Sequence, residues 1–282
     1  MLSYRHAFHA GNFADVLKHS VLTLVLEYMT RKDKGFYYID SHSGAGMYQL
    51  EDEYAQKTGE YKDGIAKLID IEDLPEALQP YIDLVKDINQ AEQSDELALY
   101  PGSPGIARQF TRRQDSAHLF ELHPADIEHL QAYSQRWNKS HVKQSDGYQG
   151  VLGLVPPPSR RGVVLIDPPY ELKEDYLKAV RTIVNAYKKF ATGTYILWYP
   201  VVKRELVEQM QDAFTKSDVR NLLQVEFCQK ADTQEYGMTG TGLFIVNPPW
   251  QLNSQLAEIL PYLKTKLGSA DTSFTLKQLI AE

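Results

Sequence analysis

The four residues Asp167-Pro168-Pro169-Tyr170 carry the most legible chemistry in the 282-residue chain. Asp167 closes an apolar run, residues 162–167, and the two prolines after it fix the backbone and remove amide hydrogens, leaving carbonyl oxygens that can only accept hydrogen bonds. A flat substrate with an exocyclic amino group would meet a carboxylate acceptor at Asp167, a carbonyl acceptor at Pro168 and an aromatic face at Tyr170. An Asp, Asn or Ser followed by two prolines and an aromatic residue arises by chance in about one such chain in a hundred. A second match, Asn247-Pro248-Pro249-Trp250, also follows an apolar run. Order separates the two, because the other chemically suggestive strand ends all precede Asp167. Asn247 is read as a structural turn.

Those other ends matter because ligands of open parallel sheets bind outside the carboxyl ends of the strands. Gly44 and Gly46 follow Asp40 directly and allow a tight turn with close backbone approach. A dinucleotide fingerprint would place a third glycine at position 49, where this chain has Gln49, which weakens a nicotinamide or flavin reading. Glu121, before His123 and Pro124, could accept both hydroxyls of a ribose, or simply complement a helix N-terminus. Ser145-Asp146-Gly147 is a polar turn that turn chemistry alone could also explain. The opening segment gathers Tyr4, Arg5, His6, His9, Lys18 and His19, residue types that stack on bases and meet phosphates but also begin ordinary helices. No metal is expected, since the spacing of His6, His9, His19 and His42 matches no ligand motif.

Positioning these residues requires strands and helices in alternation. Short β-rich runs occur at 36–40, 118–121, 162–167, 194–199, 222–228 and 243–246. Segments of helical spacing lie at 15–31, 124–137, 171–190, 203–215 and 252–267. The expected fold is therefore α/β, a mostly parallel sheet covered by helices on both faces. From Gly46 to Glu121 the chain has roughly 45 residues more than the ~30 of a βαβ step, so a small helical insertion, a lid or a flank, is expected at about 52–100 of a single domain spanning 1–282. Residues 51–97 contain four lysines against fourteen acids. The whole chain is at −7, so the remainder is net basic, with clusters at Arg31, Lys32 and Lys34, at Arg108, Arg112 and Arg113, and at Arg160 and Arg161. An anionic partner at a local face is compatible with this, as are solvated helix ends. The single Cys228 excludes an internal disulfide and is read as core. No apolar run reaches the ~18 residues of a membrane span, and a cytoplasmic protein without an obligate protein partner is expected.

Taken together, these features resemble a class I S-adenosylmethionine-dependent methyltransferase, with a Rossmann-like fold. Residues 4–19, 40–46, 101–105, 166–170 and 240–250 resemble, more closely, the bacterial 23S ribosomal RNA adenine-N6-methyltransferase family that modifies adenine 2030. The resemblance implies an N-terminal helical segment over about 1–34, S-adenosylmethionine contacts at His19, His42, Ser103, Glu121, Asp146 and Gly147, and catalysis at Asp167, Pro168 and Tyr170. It also implies substrate contacts at Tyr4, His6 and Lys18, and 23S rRNA as partner. A base must leave its helix to reach such a pocket, so protein-free or partly assembled RNA is expected as substrate. The Asp-Pro-Pro-Tyr chemistry alone would serve DNA adenine or a protein glutamine equally, and a non-catalytic RNA-binding assembly factor stays open at this point.

Overall fold

Asn12 starts the first long helix, Phe13–Thr30 (α1), by accepting the backbone N–H groups of Ala14 and Asp15 at 2.9 and 3.0 Å. The computed structural model describes residues 5–91, 96–233 and 237–282. After α1 come strands Tyr37–Asp40 (β1) and Met47–Gln49 (β2), then helices Glu53–Thr58 (α2) and Gln79–Ala91 (α3). Strand Leu99–Pro101 (β3) leads into Ser103–Phe110 (α4), Ser116–Phe120 (β4), Pro124–Ser134 (α5) and Ser140–Lys143 (β5). Next are Gly147–Leu154 (α6), Gly162–Ile166 (β6), Glu174–Lys189 (α7) and Thr194–Val201 (β7). Arg204–Thr215 (α8), Leu222–Cys228 (β8), Gly240–Val246 (β9), Leu252–Leu267 (α9) and Ser273–Ile280 (β10) complete the chain.

The main sheet has the order β10-β8-β9-β7-β6-β1-β4-β5. Strands β5, β4, β1, β6 and β7 are parallel, whereas β9 lies antiparallel between β7 and β8, and β10 adds an antiparallel edge. The chain moves from β1 toward β4 on one side and β6 on the other, so the order reverses at β1 and opens a crevice at its carboxyl end. The parallel expectation thus holds for the half of the sheet that carries Asp40, Glu121, Asp146 and Asp167.

Successive residues of the central strands feed two cores. Tyr38, Val163 and Leu165 pack with α1, α3, α4 and α9, while Ile39, Val164 and Ile166 pack with α6, α7 and α8. This accounts for the continuous apolar runs at 36–40 and 162–167, since strands covered on both faces need no polar alternation. Cys228 is buried. Helices α2 and α3 occupy the stretch read as an insertion, with Tyr81, Ile82, Val85 and Ile88 of α3 in the core beside α1. None of its described residues lines the cavity described below.

Candidate active site

The carboxyl ends of β5, β4, β1 and β6 stand side by side and border a cavity of about 310 Å³. His6, Lys18, His19, His42, Ser103, Glu121, Asp146, Gly147, Asp167 and Pro168 all line it, though they come from positions up to 162 residues apart. Tyr4 lies outside the described residues. Tyr170 does not line the cavity. Its ring rests against Tyr176 and Trp198, at centroid distances of 4.4 and 5.7 Å, and its hydroxyl donates to the Trp198 carbonyl. From this position the ring anchors the loop, and stacking on a substrate would require it to turn.

Two backbone features shape the cavity wall. Gly44 has φ of +59°, and a β-carbon there would sit 2.2 Å from the Tyr48 hydroxyl. A β-carbon on Gly147 would fall 1.8 Å from the Ser41 carbonyl oxygen. Glu121 accepts the Gly44 N–H on one oxygen at 2.8 Å and the His123 N–H on the other at 2.7 Å, which leaves each oxygen a further lone pair toward the cavity. Burial raises the Glu121 pKa, against the pull of these backbone bonds. Asp146 caps α6 by accepting the Gln149 N–H at 3.1 Å and pairs with Lys178 at 3.4 Å. Turn chemistry and cavity lining coexist there. The Tyr148 hydroxyl is buried with no hydrogen-bond partner among the described residues, and Tyr148 lines the cavity, so a ligand can satisfy this group.

Ser103 donates its hydroxyl to Asp40 at 2.7 Å, beside a second 2.7 Å bond from the Tyr38 hydroxyl. Asp40 is fully buried, and burial pushes its pKa up to about 6 despite both donors. His19 lies 2.7 Å through Nδ1 from the Tyr100 hydroxyl, which lies 2.8 Å from the Tyr81 hydroxyl of α3. Burial lowers the His19 pKa to about 3 and the His42 pKa to about 4, so both rings are neutral at pH 7.

The opposite wall is a charged relay. Lys18 Nζ lies 2.7 Å from an Asp167 oxygen and 2.8 Å from Asp15 Oδ1. Asp15 Oδ2 in turn accepts the Gly11 N–H at 2.9 Å and lies 2.9 Å from His6 Nε2. Burial opposes ionisation of Asp15, yet His6 and Lys18 beside it hold its pKa well below the carboxylate range. Burial likewise opposes the charge on Lys18, and its two carboxylates outweigh it and raise the pKa. Sequence reading missed Asp15. The available signal was its spacing, three residues before Lys18 and four before His19, which places all three on one side of α1. The Pro168 carbonyl accepts no hydrogen bond from the described residues and stays available next to Asp167. Among the described residues no group of three or more His, Cys, Asp or Glu is arranged to hold a metal.

A reversed parallel sheet with acids at successive strand ends around one crevice is the Rossmann-like α/β architecture of class I methyltransferases. The model of the family described as ribosomal RNA large subunit methyltransferase D, RlmJ, matches residues 33–280, and the chain belongs to that family. Ribosomal RNA large subunit methyltransferase J of Escherichia coli K12 is 48% identical over 272 residues, covering 96% of each chain. The protein of that name in Haemophilus influenzae is 47% identical over 283 residues, covering 100% of each. A crystal structure of protein LPL1258 from Legionella pneumophila has a TM-score of 0.88 at 39% identity, over 96% of this chain and 98% of that one. A probable spermidine synthase from Corynebacterium glutamicum, at 7% identity over 94% of this chain and 75% of its own, shares the fold with a TM-score of 0.53.

Proposed function

We propose that the chain methylates the exocyclic amine of one adenine in 23S rRNA, adenine 2030, with S-adenosylmethionine as donor. The observation that carries the reading is Asp167 in ion contact with a buried Lys18, at the edge of a cavity whose other wall holds Glu121, Asp146 and Gly147. Names of full-length relatives near half identity support ribosomal RNA as the substrate.

Glu121, Asp146, Gly147, His42, Ser103 and His19 would hold the donor, and the Tyr148 hydroxyl, without a partner among the described residues, fits a polar ligand in the same cavity. S-adenosylmethionine supplies an electrophilic methyl group on a sulfonium. Asp167 and the Pro168 carbonyl accept the two N–H bonds of the adenine amine, which draws its lone pair out of conjugation and directs it into the cavity. Alignment of that kind can contribute up to about 7–11 kcal/mol. Asp167, or water beside it, receives the proton released from nitrogen. Lys18 fixes the carboxylate, and Asp15 and His6 fix Lys18. Tyr170 would hold the loop and, after turning, face the base. Tyr4, next to Arg5 and His6 in sequence, would meet the RNA beside the target. The base must be extracted from its helix, so naked or partly assembled RNA is the substrate that fits.

The test is incubation of purified protein with labelled donor and, separately, unmodified 23S rRNA, 16S rRNA, DNA and protein extract, followed by mass spectrometry of nucleosides. Label in N6-methyladenosine at position 2030 of 23S rRNA is expected. Label confined to DNA or protein would overturn the substrate assignment.

A further inference from the structure

The second Pro-Pro motif and two of the basic clusters meet at the amino ends of β6 and β7, the end of the sheet opposite the cavity. Strand β9 runs antiparallel to β7, whose other neighbour is the parallel β6, so the chain leaving its end at Val246 falls beside Gly162 and Thr194, where those strands begin. Asn247 is held by structure: its side chain donates to the carbonyls of Ala191 and Gly193, both at 2.8 Å. The rigid turn it makes forms one wall of a second cleft, of about 340 Å³, whose other walls include Tyr28, Arg31, Lys32, Arg160 and Arg161. Just beyond the prolines, Trp250 is 77% exposed.

The cations around this cleft are not equivalent. Arg161 and Arg112 close the carboxyl end of α1 and the turn after it. Arg161 donates to the carbonyls of Met29 and Lys34, and Arg112 to those of Thr30 and Lys32. Asp115 is fully buried and engaged by Arg112. Arg31 is shared between Glu27 and Gln251, the neighbour of Trp250. Lys32 and Arg160 are exposed and have no carboxylate partner among the described residues. Among the described residues four cationic side chains (Arg31, Lys32, Arg160 and Arg161) thus line one cleft to which no carboxylate contributes, with an exposed indole one residue past its proline wall. Uncompensated Lys and Arg beside an exposed aromatic ring suit a strand of nucleic acid, the cations meeting phosphates and the ring a base.

We infer that this cleft is a second RNA-contacting surface, with Lys32, Arg160 and Arg31 on phosphates and Trp250 stacked on a base. The inference rests on RNA as the substrate. Strand β6 separates the cleft from Asp167, about 17 Å for five residues, so the RNA held there is a neighbouring part of the folded substrate, not the nucleotide that reacts. A short hairpin carrying the target adenine would leave the cleft empty, whereas long 23S rRNA would fill both places.

The experiment compares wild type with Lys32→Glu/Arg160→Glu and with Trp250→Ala, measuring binding and methylation of long unmodified 23S rRNA and of the short hairpin. For the charge variant, affinity for long RNA should fall at least tenfold at 100 mM salt. The slope of log affinity against log salt should shrink by about 1.5, as for two lost phosphate contacts. Hairpin kcat/KM should stay within twofold. Trp250→Ala should weaken long-RNA binding several-fold with the slope unchanged. Unaltered binding of long RNA, or equal loss on both RNAs, overturns the inference. So does abolition of the wild-type advantage by millimolar inorganic phosphate, which would mark a small-anion site. If the wild type methylates neither RNA, the proposed activity fails, and the binding arm still decides the cleft.

Discussion

Replacing Asp15 by Asn removes one charge and almost no volume, so it isolates what the buried carboxylate contributes. Asp15 Oδ1 receives Lys18 Nζ at 2.8 Å, and Oδ2 receives the Gly11 N–H at 2.9 Å with His6 Nε2 also at 2.9 Å. An amide cannot satisfy both sides. With its oxygen toward Lys18, its NH₂ confronts the Gly11 N–H; flipped, the NH₂ confronts the ammonium. One buried donor is orphaned in either case, at about 1–3 kcal/mol. Breaking a buried ion pair costs about 3–5 kcal/mol, and roughly half of that applies because Lys18 keeps Asp167. The sum is about 4 kcal/mol, or roughly a 10 °C fall in Tm for a chain of this size. The sign with pH follows from the lowered pKa of Asp15: its stabilisation is complete above the unfolded carboxylate value near 4 and is lost as pH falls through the folded value. The Tm gap should therefore hold from pH 8 to about pH 5 and close only in acid. In methylation assays kcat should drop at least tenfold, because Lys18 no longer sits where it fixes Asp167, while donor Kd by calorimetry stays within about threefold. A variant with Tm within 2 °C of wild type, or with donor binding lost as severely as turnover, would refute the relay.

Asp167→Ala should abolish transfer to RNA and leave donor affinity within a few-fold; equal loss of both in a folded protein would reassign Asp167 to donor binding. Tyr148→Phe removes a buried hydroxyl that lacks a partner among the described residues, so the donor-free protein should melt about 2–6 °C higher, from about 1–2 kcal/mol, while donor Kd rises several-fold. A lower Tm with unchanged donor Kd would show that the hydroxyl serves the fold alone. Asp40 has a pKa raised to about 6, so the folded state holds its proton more tightly than the unfolded chain, and the burden of its charge grows as pH rises from about 4 to 6 and persists above. Urea titrations of Asp40→Asn should show the variant gaining on wild type by on the order of 3 kcal/mol between pH 4 and pH 7, and a pH-independent difference would contradict this.

What the sequence made legible was local. A carboxylate at the end of an apolar run marks a strand end wherever it occurs, and an Asp-Gly pair marks a polar turn, so Glu121 and Asp167 on the first ground and Asp146 on the second could be named without knowing that β5, β4, β1 and β6 are neighbours. Strand direction is not written in an apolar run. Leu243 to Val246 reads like any buried strand, and only the antiparallel pairing of β9 with β7 and β8 carries Asn247 to the opposite end of the strands, away from Asp167. Strand β10 escaped notice because it is an edge, with Phe274, Thr275, Lys277 and Gln278 exposed, and its residues follow no clear period. The contact between Lys18 and Asp167 spans 149 residues, and no spacing rule reaches so far. The position of Tyr170 was equally hidden, since its φ of +51° is a property of the folded loop.

Helix α1 explains why the missed residues cluster. Of its 18 residues only Phe13, Glu27, Tyr28 and Thr30 escape full burial, so Asp15, Lys18 and His19 have little water to turn to and must be satisfied by one another and by what packs around them. Each tie reaches a different part of the chain: Asp15 to Gly11 and His6, Lys18 to the Asp167 loop, His19 to Tyr100 and through it to Tyr81 of α3. Helix α3 therefore reaches the cavity without lining it, through the Tyr81 hydroxyl beside the Tyr100 hydroxyl that contacts a neutral His19. Helical spacing reveals the helix itself at 15–31, but amphipathic patterning cannot sort its polar residues, because it has almost no solvent face. Its polar residues are informative for that reason: a charge on an otherwise buried helix must have a partner, and in α1 those partners converge on the cavity.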